Sequence, residues 1–157
     1  MGPRARLDEL TAERVQRMLA VNVLGTVLCC REAVRRMSTR HGGRGGSVVL
    51  VSSVASRLGS PGEYWKDPLP PHHSQARGGA LQGAAGEGVR VNVVRPGIVE
   101  TEIHASGGQP DRVARLGPTV PVGRAGLPAE VAAAVVWLLG DDAGYCTGSV
   151  LDVAGGR

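Results

Sequence analysis

The chain has 157 residues, 42% of them apolar and 20% charged, so it fits one ordinary domain with a real core, and wholesale disorder is excluded. Its net charge of +4 comes from 18 Lys and Arg against 14 Asp and Glu. That excess is small, and with only Tyr64, Trp65, Trp137 and Tyr145 as aromatics it lacks the stacking platform of a nucleic-acid surface. No signal peptide follows Met1 and no apolar run is long enough to span a bilayer, so a cytoplasmic protein is expected.

In chain order, Val15, Met18, Leu19, Val23, Val27, Cys30, Val34 and Met37 recur at three- and four-residue steps, which predicts one long helix from about 11 to 39. Thr11 is its N-cap and Glu13 suits its positive end. Asn22 falls on the apolar stripe, where a buried amide must find hydrogen-bond partners. Cys29, Cys30 and Cys146 lack metal-ligand spacing and are expected as reduced core residues.

"HGGRGG" ends that helix, and "SVVLVSS" (47 to 53) reads as a strand buried on both faces. "VRVNVV" (89 to 94) is a second such strand, ended by Arg95, Pro96 and Gly97. "LPAEVAAAVVWLL" (127 to 139) is a helix with Pro128 in its first turn, and "SVLDVAGG" (149 to 156) is a short third strand. Helices alternating with Val-rich strands predict an α/β fold with a doubly wound parallel sheet. A core without a single Phe must then be filled by Val, Leu and Ala.

Parallel neighbours need a crossover connection, usually a helix. The segment available, 62 to 86, carries Pro68, Pro70 and Pro71, each of which removes a helix hydrogen bond. Only "QARGGALQGAAGEG" is left to be weakly helical. His72 and His73 are adjacent, point in different directions and have no ligand cluster beside them, so no metal site is expected. "KDPLPP" has the composition of a proline-rich ligand for an aromatic groove, a binding-module alternative.

Taken together, "AVNVLGTVL", "GGSVVLVSSVASRLGSPGEY", "GVRVNVVRPGIVETEI", "PVGRAGLPAEVAAAVVWLL" and "YCTGSVLDVAGG" resemble the later two thirds of a short-chain dehydrogenase/reductase, in that family's order and spacing. The resemblance is to the bacterial branch that includes acyl-carrier-protein reductases and glucose dehydrogenases. It implies a single partial Rossmann-like domain over 1–157, NAD or NADP as cofactor, and hydride transfer between nicotinamide and a small carbonyl or alcohol substrate. By motif it makes Asn22 the anchor of a water relay and Ser53 the serine that orients the substrate oxygen. Pro96, Gly97, Ile98 and Thr101 become the loop that lies against the cofactor. Assembly into homo- or hetero-oligomers through the helices flanking the middle strands is also implied.

Each assignment has a plainer competitor. Asn22 could serve a helix distortion near Gly25, Ser53 a strand-end turn, and Pro96 with Gly97 a strand stop. The departures from the family pattern are equally specific. The glycine-rich cofactor turn is expected before residue 1, and "HGGRGG" stands in the wrong order, after a helix and before a strand. The family's interval places its catalytic tyrosine and lysine at 67 and 71, where this chain has Asp67 and Pro71; Tyr64 and Lys66 stand nearby but two residues apart. An equal-length block of unrelated composition between in-register flanks is the pattern that two compensating frameshifts leave. Catalysis is therefore expected to be impaired, with a non-catalytic partner of full-length relatives as the alternative.

Overall fold

A computed structural model describes residues 7–58 and 82–157. The calls on Tyr64, Lys66, Asp67, Pro71, His72, His73 and "KDPLPP" lie outside those residues.

Three strands form one parallel sheet in the order β1 (Gly46–Val51), β2 (Val89–Pro96), β3 (Val150–Val153). The register runs from Gly46 opposite Val89 to Val51 opposite Val94, and from Val93 opposite Val150 to Pro96 opposite Val153. Successive side chains point to opposite faces, and each face meets its own helices. Val48, Leu50, Val89, Val91 and Val93 pack with Cys30, Val34 and Met37 of the long helix. Val49, Val94, Leu151 and Val153 pack with Leu138, Val131 and Val135 on the other side. Helices on both faces of a parallel sheet are the expected doubly wound arrangement.

The long helix is not one uniform α-helix. It runs as α1 (Ala12–Leu19), a π-helical turn (Ala20–Gly25) and α2 (Thr26–Met37). Thr11 does cap it, its Oγ1 accepting the Arg14 N–H at 3.3 Å. The apolar stripe is not buried along its whole length: within α2 Cys30 is buried, whereas Val27 is 52% exposed. Asn22 is exposed as well, which corrects the expectation of a buried amide. Cys30 is buried and the half-buried Cys146 packs against the core around Val94 and Leu138, whereas Cys29 is exposed, which corrects the expectation for that one cysteine. Burial raises the pKa of the Cys30 thiol, with a smaller contribution from Cys29.

The helix stops where Ser38 turns extended (φ −61, ψ 132). Ser38 is fully buried, accepts the Arg40 N–H and donates to the Glu87 carboxylate. The "HGGRGG" segment is thereby folded back on the helix end. A Cβ at Gly43 would lie 2.3 Å from the Met37 carbonyl oxygen, so these glycines permit a close backbone approach.

Beyond β1 come α3 (Ala55–Leu58) and, just before β2, the single turn α4 (Gln82–Ala85). After β2 follow the short helices α5 (Ile103–Ser106) and α6 (Arg112–Leu116), then α7 (Pro128–Leu139). At the end of α7 the Arg90 guanidinium of β2 donates to the carbonyls of Leu138, Gly140 and Cys146 at 2.9, 2.9 and 3.2 Å. The Leu138 carbonyl also accepts the Ser47 hydroxyl and the Cys146 carbonyl the Asn92 amide, so the end of α7 is tied to both β1 and β2.

The two Val-rich strands differ in one respect that the sequence reading missed. β2 is buried along Val91–Val94, but β1 is only partly so, with Val51 58% exposed. Both faces of β1 meet helices, Val48 and Leu50 on one side and Val49 on the other, but among the described residues it has a partner on one edge only.

Candidate active site

Ligands of open α/β sheets bind outside the carboxyl ends of the strands. Here those ends hold Ser53 and the Pro96–Thr101 loop. The ladder continues past β1, with Ser52 N–H donating to Val94 O (2.8 Å) and Val54 N–H to Pro96 O (3.1 Å). These bonds set Ser53 beside Pro96 and Gly97. Asn22 lies apart, in the π-helical turn. Its carbonyl accepts the Thr26 hydroxyl at 2.8 Å, and its neighbours Val21 and Gly25 line a cleft that also touches Val51.

Ser53 is half-buried and makes a tight turn. Its Oγ accepts the Ala55 N–H at 3.2 Å, and its carbonyl accepts the Ser56 hydroxyl at 2.6 Å. The turn role foreseen for a strand-end serine is thus present. A hydroxyl whose oxygen accepts a backbone N–H still carries one O–H donor.

Gly97 is required by packing. A Cβ there would sit 2.8 Å from Ala154 Cα and 3.1 Å from Ala154 O, and the Gly97 N–H donates to Val153 O at 3.0 Å. The next residues are pinned by Gly126, which donates to Ile98 O and accepts from Glu100 N–H, both at 2.9 Å. Thr101 follows on the exposed side of this fixed segment. Gly126 itself is held from behind. Arg124 grips Glu130 with two bonds of 2.8 and 2.7 Å, and the Leu127 N–H donates to the same carboxylate at 2.7 Å. The Arg124 hydrogen bond first, and the Leu127 N–H second, hold the Glu130 carboxyl down at about 2.

Three buried polar residues were passed over by the sequence reading, His104 and Gln109 beyond the end of β2 and Asn92 inside it. His104 is buried, with Nε2 2.9 Å from Val99 O; a carbonyl only accepts, so Nε2 carries the proton and Nδ1 is left without a partner. Gln109 is buried one short loop later, its Oε1 accepting from Arg112 at 3.2 Å. Asn92 is fully buried in β2, donating to Cys146 O (2.8 Å) and accepting from Ser149 N–H (3.1 Å), which ties β3 to its register. The signal for Asn92 was a lone amide inside a strand of valines.

Among the described residues, those at the strand ends suit the nicotinamide end of a dinucleotide and not its pyrophosphate. Ile98 and Thr101 stand on a rigid loop at the strand ends, beside a serine with a hydroxyl to offer. A pyrophosphate calls for a glycine-rich turn opening a helix. The link from β1 to α3 reads Ser52, Ser53, Val54 and has no glycine. Among the described residues no three His, Cys, Asp or Glu side chains gather to hold a metal ion, and no helix is long and apolar enough to cross a membrane.

Comparison with known proteins places this geometry in context. A family model described as enoyl-(acyl carrier protein) reductase matches residues 1–157. YgfF, an uncharacterized oxidoreductase of Escherichia coli strain K12, is 54% identical over 153 residues, covering 96% of this chain and 62% of that protein. An acetoacetyl-CoA reductase of Rhizobium meliloti is 32% identical over 162 residues, covering 98% of this chain and 62% of its own length. Among solved structures, acetoin dehydrogenase YohF of Salmonella typhimurium superposes with a TM-score of 0.81 at 25% identity, over 98% of this chain and 59% of that one. The chain therefore spans about six tenths of the length of the relatives it matches.

Proposed function

Because this chain belongs to the short-chain dehydrogenase/reductase family, we propose that it carries the substrate side of a nicotinamide-dependent oxidoreductase acting on a small carbonyl or alcohol, and that proton transfer is disabled in it. The observation that carries the reading is the Val54 N–H to Pro96 O bond, which sets the Ser53 turn against the rigid Pro96–Thr101 loop at the carboxyl ends of β1 and β2.

In this reading the Ser53 hydroxyl donates to the substrate oxygen and orients the carbonyl. Asn22, at the π-helical turn, anchors a water relay. Pro96, Gly97, Ile98 and Thr101 form the wall against which the nicotinamide rests, whether of NAD or NADP. When bound, the cofactor supplies or accepts a hydride at the substrate carbon. A proton must reach or leave the oxygen in the same reaction, and the family assigns that to a tyrosine and lysine. Asp67 and Pro71 occupy those positions. A carboxyl has the wrong proton affinity for a tyrosine's task, and a proline has no charge to offer a ribose or a neighbouring acid.

The test is nicotinamide absorbance in the presence of a panel of small ketones and alcohols, acetoacetyl-CoA and acetoin among them. No turnover is expected from the chain, and turnover with either NADH or NADPH would refute the disabled proton step. A second reading, a non-catalytic subunit that pairs with full-length relatives, is favoured by the half-covered β1.

A further inference from the structure

The two segments that meet at the carboxyl ends of the sheet leave neighbouring strands, the Ser53 turn after β1 and the Pro96–Thr101 loop from the end of β2. One backbone bond joins them directly, Val54 N–H to Pro96 O at 3.1 Å. A second connection runs through side chains and through β3.

Arg95, the residue before Pro96, stands directly opposite Asp152 in the β2–β3 register. Its Nε donates to Asp152 Oδ1 at 2.6 Å and its Nη2 to Oδ2 at 3.1 Å, between side chains that are 20% and 31% exposed. Two parallel charge-assisted bonds fix orientation as well as distance. Arg57, in the helical turn α3 that follows Ser53, reaches the same carboxylate. Its Nη2 lies 3.6 Å from Asp152 Oδ2 and donates to the Arg157 carbonyl at 2.7 Å. β2 lies between β1 and β3 in the sheet, so the Arg57 side chain spans the end of the middle strand.

α3 needs such a tie. It is a single turn of four residues with no buried side chain, and one turn has too few internal bonds to hold itself. The buried Val54 fixes its near end, and Arg57 fastens the other. As an isolated pair at 3.6 Å, Arg57 and Asp152 would contribute little. Their weight comes from sharing: one carboxylate holds a guanidinium from each segment, and without it two like charges would repel.

We propose that Asp152 is a positioning residue whose carboxylate locks the Ser53 turn to the Pro96–Thr101 loop, holding Arg57 from the one and Arg95 from the other, and so sets the Ser53 hydroxyl against the wall that the loop forms. The roles of the two segments rest on the function proposed above, whereas the lock between them does not.

Amide hydrogen exchange of the full chain tests the lock, because exchange follows local opening. The Val54 N–H reports the Ser53 turn, and the Val93 N–H, bonded to Ser149 O at 2.9 Å, is the reference for the sheet. Asp152→Ala should speed exchange at Val54 about tenfold or more, the scale of a lost charge-assisted bond, and leave Val93 at the parent rate. Asp152→Glu, which keeps the carboxylate, should slow Val54 again. Arg57→Met leaves β3 untouched and should speed Val54 severalfold; combined with Asp152→Ala it should give less than the product of the two effects, since both act through one carboxylate. The lock is overturned if Val54 keeps the parent rate in Asp152→Ala, or if Val54 and Val93 accelerate equally, which would make Asp152 a support of the sheet alone. It is overturned too if Asp152→Glu exchanges as fast as Asp152→Ala, or if the two effects multiply as independent contacts do. No readout involves nicotinamide, so a failed lock leaves the proposed function standing, and turnover by the chain would refute the disabled proton step without bearing on the lock.

Discussion

β1 and β2 are both short runs of valine, and they meet opposite fates. β2 is paired on both edges, packed on both faces and supplied with polar anchors: Asn92 fastens β3, and Arg90 closes the end of α7. β1 has the same face-to-face packing but one open edge, and Val51 at its end stays 58% exposed. A β-branched run states that a strand will form and that its faces want cover. What lies along its edges depends on other segments. Among the described residues only β2 is paired on both edges, and β1 and β3 each have one unpaired edge.

That contrast predicts a lopsided pattern of mutational cost, read by urea denaturation. Leu138→Ala, at a side chain only 2% exposed against Val94, should cost most, about 2–5 kcal/mol. Gly97→Ala should follow at about 1–3 kcal/mol, because its Cβ meets the Ala154 backbone and not a side chain that can turn away. Asn92→Ala removes the donor to the Cys146 carbonyl and the acceptor for the Ser149 N–H from a fully buried site, though Arg90 still reaches Cys146 O, so about 1 kcal/mol is expected. Val51→Ala on the open edge should stay within about 0.5 kcal/mol. Equal costs at Leu138 and Val51 would break the comparison.

The smallest effect is a pH dependence at Glu130. Its carboxyl is held down at about 2 against an ordinary value of 4.5, so the Arg124–Glu130 contact stabilises the fold fully above about 4.5. That contribution is lost as the pH falls from there through about 2. The pair is solvent-exposed, which keeps the effect small and salt-sensitive. Glu130→Gln should therefore differ from the parent at neutral pH and converge with it near pH 2; a difference that persists there would contradict the assignment.

Much of the fold was legible from periodicity. β1, β2, α7 and the Thr11 cap stand within a residue or two of their predicted positions, because Val runs, Pro128 and Thr11 act locally, whereas β3 ends at Val153, short of the predicted 156. The π-helical turn was not legible, because nothing in the apolar spacing marks where the helix widens. Cys29 was misplaced because it stands one residue before the buried Cys30 on α2 and so faces another side of the helix. The site was readable only as a pattern. Ser53, Pro96 and Gly97 are ordinary strand-end residues alone, and the structure adds the bonds that bring them together. His104 and Gln109 escaped because an isolated polar residue in a loop gives no sign that it will be buried.

The central claim is that the substrate side is intact and the proton donor is lost. Its most direct test is a full-length chimera in which this chain replaces the matched portion of YgfF, assayed by nicotinamide absorbance over the same carbonyl panel. The account predicts no turnover with Asp67 and Pro71 in place, turnover once Asp67→Tyr and Pro71→Lys are introduced, and its loss again on Ser53→Ala. Turnover by the chimera with Asp67 and Pro71 unchanged would contradict it.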